Sequence, residues 1–291
     1  MVGLCWANSS YLEEPSGMHF EFLQAVSISG HADKPNDDRC GSIANLAWVV
    51  DGATDLSEPG LLGSQGGASW LASAASSAFE TSEATEIQQT CQAAFSRIEA
   101  QFEAQRTREV SNPWEMPKAA FAVALLKDDV LSVAWAADCP ILLISNDNNV
   151  WCTDAPDSSA EMAEARALGV GVGTDPVLTG EVLENRRIDR SRENHFALSP
   201  NANSSTLATH YAHFNISIGD EVILMSDGFA SIVTDYRKYT AQEMVEIIKS
   251  KGLGTIVEEI RGIERKDSAC RQFPRFKVSD DATAVWVRVS G

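Results

Sequence analysis

The residues best placed to do chemistry in this chain are its aspartates, and their positions follow a pattern. Three apolar runs each end on one: Ala47-Trp48-Val49-Val50-Asp51-Gly52, Val133-Ala134-Trp135-Ala136-Ala137-Asp138, and Val222-Ile223-Leu224-Met225-Ser226-Asp227-Gly228. A fourth run begins just after a pair, Asp280-Asp281-Ala282-Thr283-Ala284-Val285. A further pair, Asp37-Asp38, lies in a polar turn near the start. One Asp-Gly after a strand is an ordinary turn signal. Two such dipeptides and two Asp-Asp pairs, all on strand boundaries, form a pattern that turn chemistry alone does not require. Carboxylates gathered at one sheet edge without cations would repel one another and take up protons. Hard divalent cations remove that conflict, and an all-oxygen donor set suits Mg²⁺ or Mn²⁺.

The elements that must position these residues can be read from periodicity. Strands are expected at Phe20–Ile28, Ala44–Val50, Ala119–Leu126, Val130–Ala136, Ile141–Ser145, Thr206–Phe214, Glu221–Met225 and Ala282–Val289. A small-residue helix is expected at Ala68–Phe79. A longer amphipathic one is expected over Ser82–Arg108, with Ile87, Cys91, Ala94, Phe95, Ile98 and Phe102 at spacings of three and four. Further helices are expected at Ala160–Leu168, Ala241–Lys251 and Thr255–Arg265, and a polar surface loop over 186–203. Strand groups alternate with helix pairs without a regular strand–helix beat, so the fold class is α+β rather than a doubly wound parallel sheet. No linker, repeat or low-complexity tract divides the 291 residues, which are read as one domain.

Composition narrows the function. Asp plus Glu number 41 against 23 Lys plus Arg, a formal charge of −18. That excess argues against nucleic acid and anionic membrane surfaces as partners. It also repels a phosphorylated substrate unless cations offset the field locally, as bound metal ions do. The six cysteines form no C-x-x-C pair and are read as reduced thiols. Residues Met1–Ser10 carry neither a basic start nor an apolar stretch, and no run of 18 apolar residues occurs. The expected location is the cytoplasm.

Five motifs in order resemble the metal-dependent protein Ser/Thr phosphatases of the PPM or type 2C family, in a bacterial-like form. They are Asn36-Asp37-Asp38, Val50-Asp51-Gly52, Ala137-Asp138-Cys139, Ser226-Asp227-Gly228 and Asp280-Asp281-Ala282-Thr283, and the resemblance covers about residues 20–290. It implies a four-layer α-β-β-α sandwich, two central antiparallel sheets flanked by helix pairs. It further implies a two-metal centre that hydrolyses phosphoserine and phosphothreonine in proteins through a metal-bridging hydroxide. Carried over by motif, Asp51 bridges both Mn²⁺ or Mg²⁺ ions and the Gly52 carbonyl binds one. Asp227 and Asp280 complete one ion's shell, and Asp37 and Asp38 serve the other. Asp138 matches the position that some members use for a third, weaker ion. Asp51 and Asp38 are then the expected catalytic carboxylates.

Some positions depart from the family pattern. Asp33 stands where many members carry a phosphate-gripping Arg, and Lys34 with His31 is expected to supply part of that charge. Ala53 follows the Asp-Gly where eukaryotic members have His, and Gly66-Gly67 lies past a longer loop. Cys139 and Pro140 replace the usual Ser and Arg. These departures favour an alternative reading, a catalytically weak or dead phosphatase-like module that recognises a phosphoprotein or docks a partner. The complete set Asp51, Asp227 and Asp280 favours the enzyme. The His210/His213 pair is expected to point to opposite strand faces, and the glycine-rich stretch from Gly169 to Gly173 fails the dinucleotide fingerprint because it follows a helix.

Overall fold

The computed structural model describes residues 17–169, 180–192 and 197–291, apart from 57, 59, 63, 65, 146 and 147. The glycine-rich stretch just mentioned falls largely outside them. In chain order the strands are β1 (His19–Ile28), β2 (Arg39–Ile43), β3 (Leu46–Gly52), β4 (Ala119–Lys127), β5 (Val130–Ala136), β6 (Ile141–Ile144), β7 (Asn149–Trp151), β8 (His210–Asn215), β9 (Glu221–Met225) and β10 (Ala282–Ser290). The helices are α1 (Gly67–Glu80), α2 (Ile87–Gln105), α3 (Ser159–Ala167), α4 (Gly180–Arg190), α5 (Ala202–Ala208), α6 (Asp227–Ala230), α7 (Ala241–Lys251) and α8 (Leu253–Lys266).

Two five-stranded antiparallel sheets result, one ordered β1-β10-β9-β6-β7 and the other β2-β3-β4-β5-β8. The period-two alternation of each strand decides what lies between the layers. On β3, Trp48 and Val50 face α1 and α2, where they meet Phe79, Phe95 and Phe121. Ala47 and Val49 face the other sheet and meet Val222, Leu224, Val285 and Val287. On β10 the same switch sends Val285 and Val287 inward and Ala284 and Trp286 out toward α7 and α8. Three apolar interfaces therefore stack four layers, α-β-β-α, as expected. The six apolar positions predicted on the long helix are all buried in α2.

The structure corrects several boundaries. The long helix begins at Ile87, not Ser82, and residues 82–86 are irregular, with a bend at 85–86. The expected loop 186–203 is helical only at its two ends: its start is the end of α4, and Ala202 opens α5, which also displaces the start of β8 to His210. The polar turn after β1 already contains an edge strand, β2.

Candidate active site

The antiparallel register brings the aspartates to one end of the sandwich. Asp51 pairs with Ala120 near the end of β3, while Met225 at the end of β9 pairs with Ala284 near the start of β10. Asp227 and Asp280 thus flank the same sheet edge. Asp138 follows Ala137, whose backbone is left-handed at φ 62°. That conformation costs a non-glycine residue roughly 1 kcal/mol and turns the chain so that Asp138 faces the cleft.

The turn carrying Asp37 and Asp38 is tied down by its neighbours. The Asp281 carboxylate accepts from the backbone N–H of Gly30 at 2.8 Å and of Asp37 at 2.7 Å. Asn36 accepts from the Asp38 N–H, and Arg39 donates to the carbonyls of Asn36 and Asp38. Asp281 and Arg39 are therefore clamps, and Arg39 does not serve as the missing phosphate-gripping cation.

Both Asp-Gly dipeptides have a steric reason. A Cβ on Gly52 would lie 2.7 Å from the Asp37 carbonyl and 2.8 Å from that of Ala68. One on Gly228 would lie 1.9 Å from the Asp281 carbonyl. Glycine lets the Asp51 and Asp227 turns approach the loops that carry the other aspartates. Gly228→Ala is expected to destabilise the fold by about 1–3 kcal/mol or more, read as a fall in the urea midpoint. An unchanged midpoint would mean that the two turns need not touch.

The electrostatics are those of crowded carboxylates. Burial raises Asp51 well above the ordinary carboxylate value, and Asp38, Asp227, Asp280 and Asp138 push it further. Asp227 is raised well above it by burial and then by Asp138 and Asp280. Burial, with help from Asp281 and Asp280, pushes Asp38 up to about 7. Burial, then Asp281 and Asp55, takes Asp37 to about 6. Asp138 is exposed to the cleft, yet the mass of protein around it raises its carboxyl as well.

Asp280 behaves differently. Burial would raise it, but Lys277 overcomes that and leaves it below the ordinary value. The Lys277 ammonium donates to both Asp280 oxygens, at 2.7 and 2.9 Å. Burial alone would pull that ammonium down, whereas Asp280, Asp227 and Asp51 hold it above the ordinary lysine value. A buried pair, Arg275 with Asp267 at 2.8 Å, organises the loop that delivers Phe276 and Lys277 to the cleft.

Among the described residues, no three His, Cys, Asp or Glu side chains are closed into a cage that would hold an ion as they stand. The donor chemistry nevertheless fits hard cations. Asp38 is 2% exposed, and neither of its oxygens has a hydrogen-bond partner; Asp227 Oδ1 is likewise buried and unpartnered. The neighbouring hydroxyls are turned elsewhere, Thr283 toward Ser27 and Ser226 toward the Thr283 carbonyl. Buried acceptors without donors are costly and mark a place for a positive ligand. Lys277 supplies a covalently tethered cation at one side of it. Lys277→Met is expected to tighten Mn²⁺ binding about 5- to 10-fold, since a half-exposed ion pair worth about 1 kcal/mol no longer competes for Asp280. Calorimetric titration checks this, and weaker binding in the variant would sink it.

A cavity of about 420 Å³ opens at this end, with Asp51, Gly52, Asp138, Asp227 and Asp280 on its wall. Lys118, Arg186 and Arg190 line the same cavity. A neighbouring cavity of about 260 Å³ holds His31, Lys34, Asp37 and Lys277. His31 and Lys34, the two residues expected from sequence to grip phosphate, thus share a cavity with Asp37, on an exposed lip in the case of Lys34. His210 stacks on Trp135 and His213 bonds Ser132, and neither lines these cavities. Cys139 is buried, and burial and the surrounding aspartates raise its thiol well above the usual value, so it is no nucleophile.

A profile of protein phosphatase 2C matches residues 29–258. The chain belongs to the protein phosphatase 2C family. It is therefore, by family, a protein serine/threonine phosphatase. Among curated proteins none matches the sequence. Solved structures share the fold at low identity. The catalytic domain of the serine/threonine protein phosphatase PstP, in complex with two manganese ions, aligns with a TM-score of 0.56 at 14% identity, over 94% of this chain and 100% of that one. The Mycobacterium tuberculosis phosphatase PstP/Ppp gives 0.55 at 15%, over 94% and 99%. PppA of Pseudomonas aeruginosa gives the same figures, 0.55 at 15% over 94% and 99%. Among the described residues, no helix is long and apolar enough to cross a membrane.

Sequence reasoning missed Lys277, Arg186, Arg190 and Lys118. The one available signal was the basic content of the 186–203 segment in an acidic chain.

Proposed function

We propose that this type 2C phosphatase hydrolyses phosphoserine and phosphothreonine in proteins, using two divalent ions, Mn²⁺ or Mg²⁺, held by its aspartates. The observation that carries this reading is the set of buried oxygens without donors, both of Asp38 and one of Asp227, within a group of mutually repelling carboxylates. Asp51 would serve both ions and the Gly52 carbonyl one of them, with Asp227 and Asp280 completing the shell of one ion and Asp37 and Asp38 serving the other. Asp138 would take a third ion. When bound, such ions activate water and neutralise phosphoryl charge.

The chain's own residues bind and orient the substrate. Lys277 and Arg186 are cations that act directly on Asp280, and they face the transferred phosphoryl group in place of the Arg that Asp33 replaces. Lys34 adds positive charge from the lip, and the His31 imidazole beside it adds a hydrogen-bonding group. Ala53 offers no acid to the leaving oxygen, so its proton comes from water admitted through the open cleft.

Phosphate release from phosphoserine and phosphothreonine peptides should require Mn²⁺ or Mg²⁺ and stop with excess chelator. Tight peptide binding with no release at any metal concentration would instead make the chain a phosphoprotein-binding module.

A further inference from the structure

Lys118 and Arg190 share the aspartates' cavity but not their electrostatics. Lys118 is 9% exposed and lies next to the first residue of β4, and its side chain has no hydrogen bond or ion pair among the described residues. The side chain of Arg190, at the end of α4, has none either. Burial and then Arg190 lower the Lys118 ammonium. Burial, then Arg186, takes Arg190 down to about 10, with Asp55 the single opposing charge. Asp55 is already engaged, accepting from the N–H groups of Gly67 and Ala68 at the start of α1.

The other acids on this wall do not reach the two cations. Asp189 pairs with Arg192 at 3.1 Å and Glu161 with Arg186 at 3.8 Å, while Glu164 lines the cavity and forms no ion pair with either among the described residues. Two cations therefore line one cavity, in a chain of net charge −18, with no anion paired to their side chains among the described residues. Such an arrangement costs stability unless a ligand of opposite charge completes it. Their position is also fixed rather than floppy. Val182 of α4 packs with Ala165 of α3 and with Phe276, and Arg187 lies 4.2 Å over the Trp114 ring, so α4 is pinned over the cleft.

We infer that Lys118 and Arg190 form a second oxyanion site, beside the reacting one, that takes a phosphoryl group. A guanidinium fork with an ammonium matches three phosphoryl oxygens better than a single carboxylate. The phosphoryl group is either a second one on the same substrate or free inorganic phosphate. As a part of substrate selection, the inference rests on the phosphatase reading; as a binding site, it stands without it.

The test separates the two. In excess chelator, so that no metal takes part, inorganic phosphate is titrated against the wild-type chain and against Lys118→Met/Arg190→Gln, with binding read by calorimetry and thermal shift. The double variant is expected to bind phosphate at least 10-fold more weakly. Asp51→Asn should retain binding, and Arg190→Lys, which keeps the charge, should restore part of it in the Lys118→Met background. Circular dichroism verifies the fold, and the single variants serve if the double one fails to fold. No phosphate binding to the wild type, or undiminished binding to the variants, overturns the inference. The source is then read with Mn²⁺ present. A higher kcat/KM on a doubly than on a singly phosphorylated peptide, with that ratio falling about 10-fold in the variants, assigns the substrate's second phosphoryl group. Equal kcat/KM on both peptides, with inhibition by phosphate that the variants relieve, assigns free phosphate. If no peptide is turned over at all, the phosphatase reading fails while the chelator titration still decides the site.

Discussion

Asp51→Asn is expected to lower kcat by roughly 10³-fold or more at saturating Mn²⁺, a loss of about 4 kcal/mol of transition-state stabilisation. The reason is the place of Asp51 among its neighbours: Asp38, Asp227, Asp280 and Asp138 all act on it. A carboxylate at that centre is the one best placed to serve two ions, and an amide offers neither its charge nor its second anionic oxygen. The same substitution should raise the melting temperature in chelator at pH 8, because it removes one of several buried charges that repel. Opposite signs on activity and stability distinguish a residue kept for function from one kept for packing. Near wild-type turnover in Asp51→Asn would sink the two-metal reading.

The second large effect is a dependence of stability on pH that reverses with metal. Asp38 has its folded value raised to about 7 and Asp37 to about 6, against an unfolded value near 3.8. Between those values the folded state binds more protons than the unfolded one, so unfolding free energy falls as pH rises. Carboxylates with lowered values, such as Asp267 and Glu115, are ionised in both states above about pH 5 and contribute no slope there. From pH 5 to 7 the metal-free protein should therefore lose roughly 2–4 kcal/mol. Saturating Mn²⁺ should flatten or invert that trend, since it binds the ionised carboxylates of the folded state. Urea unfolding at several pH values, with chelator and with Mn²⁺, measures both slopes. Parallel slopes in the two conditions would mean that Asp37 and Asp38 do not face the ions.

Much of this was legible in the sequence because the relevant signals are local. Asp51-Gly52 and Asp227-Gly228 end strands that alternate cleanly, and both glycines prove to be needed where loops approach within van der Waals contact. The apolar stripe of α2 appears at its true spacing. What escaped has physical reasons. In α4 only Val182 is buried, so there is no stripe to reveal a helix, and a polar segment held by one apolar contact and a ring under Arg187 reads as loop. Arg39–Ile43 is a half-buried edge strand whose pairing with β3 is not encoded in its own alternation. Lys277 belongs to no motif. Its position depends on a loop organised by the Asp267–Arg275 pair, a long-range arrangement that residue spacing cannot convey.

The pairing of β1 with β10 has a consequence for how the protein assembles in time. Strands β2 and β3, and β4 and β5, pair as local hairpins and β3 meets β4 about 70 residues on, whereas β1 finds its partner about 270 residues further along, as in Phe20 opposite Val289. Loop closure on that scale is entropically slow. During synthesis the sheet containing β3 can therefore form while the strand that follows Asp280 is still missing. Asp38 and Asp51 would then wait, with their charges uncompensated, for Asp280 and Lys277 to arrive together on the final segment. The site's most repulsive carboxylates receive their tethered ammonium at the same step that zips the first strand to the last. Activity should accordingly be the last property regained on refolding, after most helical signal has returned.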